Sequence, residues 1–126
     1  MHNYDEERPI SPHLSIHRKL LTAVFSIFHR ITGFALTIGN IFIVLWILFF
    51  SLGEEYFNVI NNLTQYLLIK IILFLWTFGL LFHSLNGIRY LVWSLGYGIN
   101  IKNIYITSYL VIVFSLLSTI LIWLIV

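Results

Sequence analysis

The hydrophobic and polar residues of this chain alternate in long blocks rather than residue by residue. Three stretches are predominantly apolar, residues 22–52, 66–94 and 104–126, and the segments between them collect Gly, Glu and Asn. A helix needs about 20 apolar residues to cross the hydrocarbon core of a bilayer, and each stretch is long enough. The pattern therefore predicts an all-α membrane protein with three transmembrane helices.

The segments outside the three predicted spans are expected to lie at the membrane surface. Residues 1–21 are polar and contain Pro9 and Pro12, which disfavour a continuous helix, so they are expected to form an extended interfacial arm. Residues 53–65 are expected to form a short exposed loop, and a Gly-containing turn should join the second and third spans. Residues 1–126 are predicted to be a single membrane-anchor domain.

Composition excludes several classes of function. Of the 126 residues, 60% are hydrophobic and 10% are charged, and the mean hydropathy is +0.94, which leaves no room for a soluble catalytic domain. The chain has no cysteine, so it offers no thiolate ligand for a metal or an iron–sulfur cluster. The net charge of +2 is small and the basic residues lie near the ends of apolar stretches, so nucleic acid is not expected as a partner.

The distribution of charge predicts the orientation in the membrane. Basic residues precede or open the first span and border the connection between the second and third, whereas the first connection contains Glu54 and Glu55 but no Lys or Arg. Because basic residues favour the cytoplasmic side, the N-terminus is predicted to face the cytoplasm or the matrix. Lys70 and Arg89 bracket the uncharged part of the second span, and their long side chains are expected to extend back to the interface.

One histidine lies within the second span. His83 is six residues before Arg89, which places it in the half of the bilayer on the N-terminal side, among apolar neighbours. A buried imidazole needs a partner, so His83 is either a haem iron ligand or hydrogen-bonded to a neighbouring helix. Gly87 follows on the same helix face, where the missing side chain either clears space for a flat macrocycle or allows close helix packing.

Polar residues also open the first span. Ser26 and Arg30 share a helix face at spacing i, i+4, and His29 lies beside them. A hydroxyl and a guanidinium at this depth can donate hydrogen bonds to the carbonyl oxygens of a quinone and stabilise the charge that develops as it is reduced. The alternative is an arginine that extends to the phosphate head groups of the lipid.

Three sequence blocks together resemble a known family. They are RPISPHL at 8–14, SIFHRITG at 26–33 and HSLNGIRYLVWSLG at 83–96. In this order they resemble the cytochrome b membrane-anchor subunit of succinate dehydrogenase, respiratory complex II, and the likeness spans most of the chain. The resemblance implies a multi-pass protein of the bacterial cytoplasmic membrane or the mitochondrial inner membrane, within a heteromeric helix bundle.

The resemblance also implies cofactors and site residues. His83 would be an axial ligand of the haem b iron, with the second ligand supplied by another anchor subunit. Ser26 and Arg30 would line a pocket for ubiquinone, the substrate. His29 and Arg30 would lie near the haem propionates.

The same resemblance implies three protein partners: a second membrane-anchor subunit, an iron–sulfur subunit and a flavoprotein that oxidises succinate. The chain would then be non-catalytic alone and would serve electron transport and the tricarboxylic acid cycle. Two positions depart from the family pattern, Tyr90 where His is frequent and Ser94 where Asp is customary. Two alternatives stay open: a free-standing cytochrome in which His29 and His83 bind both faces of one haem, and a scaffold subunit without cofactor.

Overall fold

The computed structural model describes residues 21–125, and this part of the chain is all helical. The helices are α1 (Leu21–Ser51), α2 (Glu54–Thr64), α3 (Leu67–Ser94) and α4 (Ile101–Ile125). Three of them, α1, α3 and α4, are long and apolar enough to cross a membrane. They match the predicted spans to within three residues at each described end, which confirms the all-α, three-span prediction. The predicted interfacial arm lies outside the described residues, apart from Leu21.

The loop predicted for residues 53–65 is wrong, because most of this segment forms α2, but most of its residues are exposed as predicted. Its Gly and Asn residues have low helix propensity, but its apolar residues fall on one side of the helix. Ile60 is buried, and the ring of Phe57 packs edge-on against Trp46 of α1 with a centroid separation of 5.7 Å. The packing of these two side chains outweighs the weak local propensity, although most other apolar residues of α2 are exposed.

The α3 helix ends just before a glycine with a positive φ. Gly96 has φ 84°, a conformation that favours glycine because it has no Cβ. The Gly96 N–H donates to the Trp93 carbonyl at 2.9 Å, and the Tyr97 N–H donates to the Val92 carbonyl at 3.3 Å. This pair of bonds is a Schellman motif, which ends α3 and reverses the chain so that α4 runs antiparallel to it.

The α3 helix lies at the centre of the bundle and packs against both α1 and α4. On the α4 side, three small polar residues are fully buried: Ser108, Ser115 and Thr119. Each hydroxyl donates to the carbonyl four residues earlier, so close packing leaves no hydroxyl unsatisfied.

A small aromatic cluster joins the three long helices near one end of the bundle. Phe25 of α1 and Phe82 of α3 have ring centroids 5.6 Å apart, and Val111 of α4 completes the cluster. This end, where α1 begins and α3 finishes, is called the inner end below. The charge distribution predicts that it faces the cytoplasm or the matrix.

Most large apolar side chains point away from the bundle. Phe34 of α1 is 71% exposed and Leu121 of α4 is 59% exposed, and many of their neighbours are similar. A continuous apolar surface of this kind requires lipid or the apolar helices of another subunit. The three long helices therefore meet each other along narrow stripes and leave wide faces for the membrane.

Candidate functional site

His83 lies on the face of α3 that packs against α1. Its Nδ1 atom is 3.0 Å from the carbonyl oxygen of His29 and 3.2 Å from the hydroxyl oxygen of Thr32. Within residues 21–125, no hydrogen bond uses the other ring nitrogen, Nε2. The hydrogen-bonding interpretation of His83 therefore holds for Nδ1, and a ligand role for Nε2 stays a prediction.

The side chain of His29 lies flat against the ring of His83. The two imidazole centroids are 3.9 Å apart and the rings are within 5° of parallel. Tyr90 contacts His29 edge-on, with the two ring centroids 5.3 Å apart. The Nδ1 atom of His29 is buried and has no hydrogen-bond partner among the described residues.

Ser26 and Arg30 lie beside this histidine pair on α1. Ser26 is half-buried and Arg30 is exposed, and both belong to the stripe of α1 that contains His29. Because His29 contacts His83, the adjacent Arg30 lies at about the same level along the bundle as His83, although α1 and α3 run in opposite directions. The structure thus brings His29 and His83 into contact, and Ser26 and Arg30 lie on the same stretch of α1; the roles of all four residues stay predictions.

Two glycines allow the helices to approach each other at the histidines. A Cβ built on Gly87 would be 3.8 Å from Cε1 of His29, an ordinary packing distance. Gly87 therefore faces α1, which favours close helix packing over space for a macrocycle. Gly33 approaches more closely: a Cβ built on it would be 3.0 Å from Cε1 of His83. Its position in the sequence alone gives no indication of this contact.

The prediction that Arg89 extends to the interface is wrong. Arg89 is only 5% exposed, and its Nη1 donates to Asn86 at 3.0 Å while its Nε donates to Thr107 of α4 at 3.1 Å. Its guanidinium lies 4.1 Å from the ring centroid of Trp93 and 5.1 Å from that of Phe25. Acceptors on α3 and α4 and two aromatic faces therefore keep this cation inside the bundle.

One feature of the sequence indicates that Arg89 is buried: the same apolar helix contains a second polar residue. Asn86 stands three residues before Arg89, and it is fully buried. A polar pair at i, i+3 on one face of a membrane helix points to a partner on another helix. That signal predicts burial, but it does not identify Thr107 as the partner.

A wide apolar groove runs along α1 and α3 beside the histidines. Its volume is about 950 Å³, and it extends from Thr32, which contacts His83, to Trp46 near the end of α1. Trp76 and Gly79 of α3 form part of the opposite wall. A groove of this size and polarity can accept a flat apolar ligand, a lipid chain or a helix.

The described residues fit a haem better than a bare metal ion. No three His, Asp or Glu side chains come together in residues 21–125, so this part of the chain offers no complete ligand set for a free ion. A haem iron needs only one imidazole on a face. His83, held at Nδ1 with Nε2 unbonded, meets that requirement, whereas the stacked rings of His29 and His83 cannot lie on opposite faces of one haem.

Comparison with known proteins identifies the relatives of this chain. Residues 4–122 match the family model described as succinate dehydrogenase/fumarate reductase transmembrane subunit. The chain is 40% identical to the succinate dehydrogenase cytochrome b560 subunit of Reclinomonas americana, over 98% of this chain and 89% of that protein. It is 38% identical to the cytochrome b556 subunit of Rickettsia prowazekii, over 93% of this chain and 91% of that protein.

A human relative is also similar over most of this chain. It is the mitochondrial succinate dehydrogenase cytochrome b560 subunit, 36% identical over 93% of this chain and 70% of that protein. The relatives thus include bacterial and mitochondrial proteins, and the resemblance drawn from the three sequence blocks is confirmed.

Proposed function

The chain belongs to the family of succinate dehydrogenase/fumarate reductase transmembrane subunits, and on this premise we propose that it is an anchor subunit that helps to bind haem b and ubiquinone. In this role it would pass electrons from an iron–sulfur subunit to quinone, within the respiratory chain and the tricarboxylic acid cycle. The membrane would be the bacterial cytoplasmic membrane or the mitochondrial inner membrane. Three apolar spans and relatives named as cytochrome b subunits support the proposal.

The observation that best supports His83 as a haem ligand is its hydrogen bonding. An axial imidazole must present an unprotonated nitrogen to iron, and a bond to its other N–H fixes both the tautomer and the ring orientation. The His29 carbonyl is an acceptor 3.0 Å from Nδ1, which suits a proton on Nδ1 and a lone pair on Nε2. When bound, the haem would supply one-electron redox chemistry between the soluble partners and quinone.

Ser26 and Arg30 are proposed to bind the quinone head. Their side chains share a face of α1 beside the histidines, and the guanidinium of Arg30 is exposed in the isolated chain. An exposed cation at this depth can donate hydrogen bonds to a quinone oxygen and stabilise negative charge there until protons arrive. Ser26 offers a second donor on the same side, which would orient the ring.

The proposed partners follow from the family to which the chain belongs. It has no cysteine for a cluster, and a second anchor subunit would supply the other haem ligand. The broad apolar faces of α1 and α4 suit lipid and the helices of that subunit. An iron–sulfur subunit and a flavoprotein would bind on the inner side and carry out succinate oxidation.

Purification of the intact complex from membranes tests this function. The expected preparation contains a flavoprotein, an iron–sulfur protein and haem b in stoichiometric amounts, and it reduces ubiquinone with succinate. Arg30→Leu should raise the KM for ubiquinone at least tenfold while succinate oxidation by an artificial soluble acceptor is unchanged, because the soluble subunits remain intact. Lys102→Leu removes an exposed cation at the same end of the bundle and serves as the matched control.

Two outcomes would oppose the proposal. If Arg30→Leu behaves like the Lys102 control, the quinone pocket is elsewhere. If the chain purifies without haem and without the soluble subunits, it is a scaffold of another assembly. The free-standing cytochrome alternative is disfavoured by the face-to-face contact of His29 and His83, since axial ligands of one haem point at the iron from opposite sides.

A further inference from the structure

The hydroxyl of Thr32 is placed to control the imidazole of His83. Its oxygen lies 3.2 Å from Nδ1 of His83, across the interface between α1 and α3. It also lies 2.9 Å from the Phe28 carbonyl oxygen and 3.0 Å from the His29 carbonyl oxygen of its own helix. These three distances determine where the hydrogen atoms can be.

A hydroxyl has one hydrogen to donate and lone pairs with which to accept. Two carbonyl oxygens of α1 lie within reach of the Thr32 hydrogen, and carbonyls can only accept, so the hydrogen is directed to the helix backbone. The Thr32 oxygen is then left with a lone pair towards His83. Both polar atoms near Nδ1, this oxygen and the His29 carbonyl, are thus acceptors.

We propose that Thr32 is a positioning residue for His83: with the His29 carbonyl, it holds the proton on Nδ1 and so keeps Nε2 of His83 as the metal-binding lone pair. This inference rests on the proposed haem function. Acceptors at Nδ1 make the imidazole a stronger electron donor at Nε2 and restrict rotation of the ring. Thr32 does not touch the iron, and it acts only through His83.

The carbonyl of His29 belongs to the backbone, but Thr32 can be changed without altering the helix. Thr32→Val keeps the branched shape and removes the oxygen. Thr32→Ser restores a hydroxyl at the same place. Thr37→Val is the matched control, because the Thr37 hydroxyl is exposed and donates to the Gly33 carbonyl at 3.0 Å within α1.

The experiment compares the purified complexes by redox titration of the haem and by electron paramagnetic resonance of its ferric form. A weaker donor at Nε2 stabilises ferric iron less. Thr32→Val should therefore raise the midpoint potential of the haem. The expected shift is up to about 59 mV, which corresponds to a tenfold change in the equilibrium constant of a one-electron couple. The g values should also change as the ring reorients, and Thr32→Ser should return both quantities towards the wild type.

Three results overturn the inference. The first is a Thr32→Val complex with the wild-type potential and g values. The second is a Thr37→Val control that shifts as much as Thr32→Val. The third is a Thr32→Ser variant that behaves like Thr32→Val. If Thr32→Val prevents assembly, Thr32→Ala makes the same test, since alanine is a better helix former and also lacks the oxygen.

The two proposals fail in different ways. A wild-type complex without haem b defeats the proposed function and this inference with it. A wild-type complex with haem b and a Thr32→Val variant identical to it defeats only the role of Thr32. A shift in Thr32→Val that Thr32→Ser reverses supports both.

Discussion

The imidazole of His83 lies directly against the backbone of Gly33. A Cβ at position 33 would be 3.0 Å from Cε1 of the ring, closer than side chains normally approach. The same ring is hydrogen-bonded to the His29 carbonyl one turn earlier on α1. The α1 backbone therefore forms a close-fitting wall for His83, and only glycine at position 33 leaves room for the ring in its present position.

Gly33→Ala should displace the His83 ring by a few tenths of an ångström. The ring would lose part of its bond to the His29 carbonyl, and the loss of a hydrogen bond that orients a metal ligand commonly reduces metal affinity by about tenfold or more. We expect lower haem occupancy in the purified complex, measured by the pyridine haemochrome spectrum per mole of flavin.

Gly87→Ala is the control for this prediction. A Cβ there would meet Cε1 of His29 at 3.8 Å, an ordinary contact, so haem occupancy should equal that of the wild type. If Gly87→Ala instead removes the haem and Gly33→Ala does not, Gly87 is the glycine that makes room for the macrocycle.

The sequence predicted the spans well because their signal is local. An uninterrupted apolar run identifies a membrane helix without knowledge of its neighbours. The interior of the bundle was harder to predict. Arg89 is predicted to be interfacial, because its acceptor on α4, Thr107, lies eighteen positions later in the sequence. Ile60 is predicted to lie in a loop, because nothing near it in sequence shows that its side chain is buried.

The residues of the candidate site also fall into two groups, those that the sequence predicts and those that it does not. His83, His29 and Arg30 could be selected from the sequence, because ionisable groups in apolar helices are costly and need a reason. Their common depth follows from two antiparallel spans, whereas the stacking of His29 on His83 does not. Thr32 and Gly33 could not be given roles from the sequence, because their importance lies in distances to His83 across the interface.

His29 and His83 should respond differently to replacement by phenylalanine. His83→Phe removes the proposed ligand, so the low-spin ferric signal of a haem with two histidine ligands should disappear. His29→Phe preserves a ring stacked on His83 and should keep that signal, with a shifted potential. The measurement is electron paramagnetic resonance on the two purified complexes. Loss of the low-spin signal in His29→Phe would favour the free-standing cytochrome in which both histidines bind iron.

Arg89→Gln should destabilise the bundle. The guanidinium donates to Asn86 and Thr107, and its loss would leave buried acceptors with one partner fewer. An unsatisfied buried polar group costs about 1–3 kcal/mol, and the stacking on Trp93 would also be lost. The expected result is a lower Tm of the detergent-solubilised complex, measured by loss of its haem absorbance on heating.

Lys102→Gln is the control for the Arg89 change, because Lys102 is an exposed cation at the inner end of α4. Its Tm should stay close to that of the wild type, since exposed charges contribute little to stability. Arg89→Lys should be intermediate, as an ammonium keeps the charge but not the planar fork of donors. Equal Tm values for all three variants would show that the contacts of Arg89 with its neighbours on α3 and α4 do not hold the helices together.

Gly39 and Trp76 form a second close contact between α1 and α3, further from the inner end. A Cβ on Gly39 would overlap the five-membered ring of the Trp76 indole, so Gly39→Ala must displace that side chain. Overpacking of this kind costs about 1–3 kcal/mol. Gly79→Ala is the matched control, because its Cβ would meet only Thr32, at 3.8 Å.

A double-mutant cycle separates this contact from general effects of alanine on α1. Trp76→Leu removes the atoms that a Cβ at position 39 would strike, so Gly39→Ala should cost less in the Trp76→Leu background than in the wild type. Thermal unfolding of the four complexes gives the coupling energy, which should be about 1 kcal/mol or more, as for other residues in direct contact. Additive effects would mean that α1 and α3 do not meet at these residues in the assembled complex, and the groove that both residues line would then have a different shape.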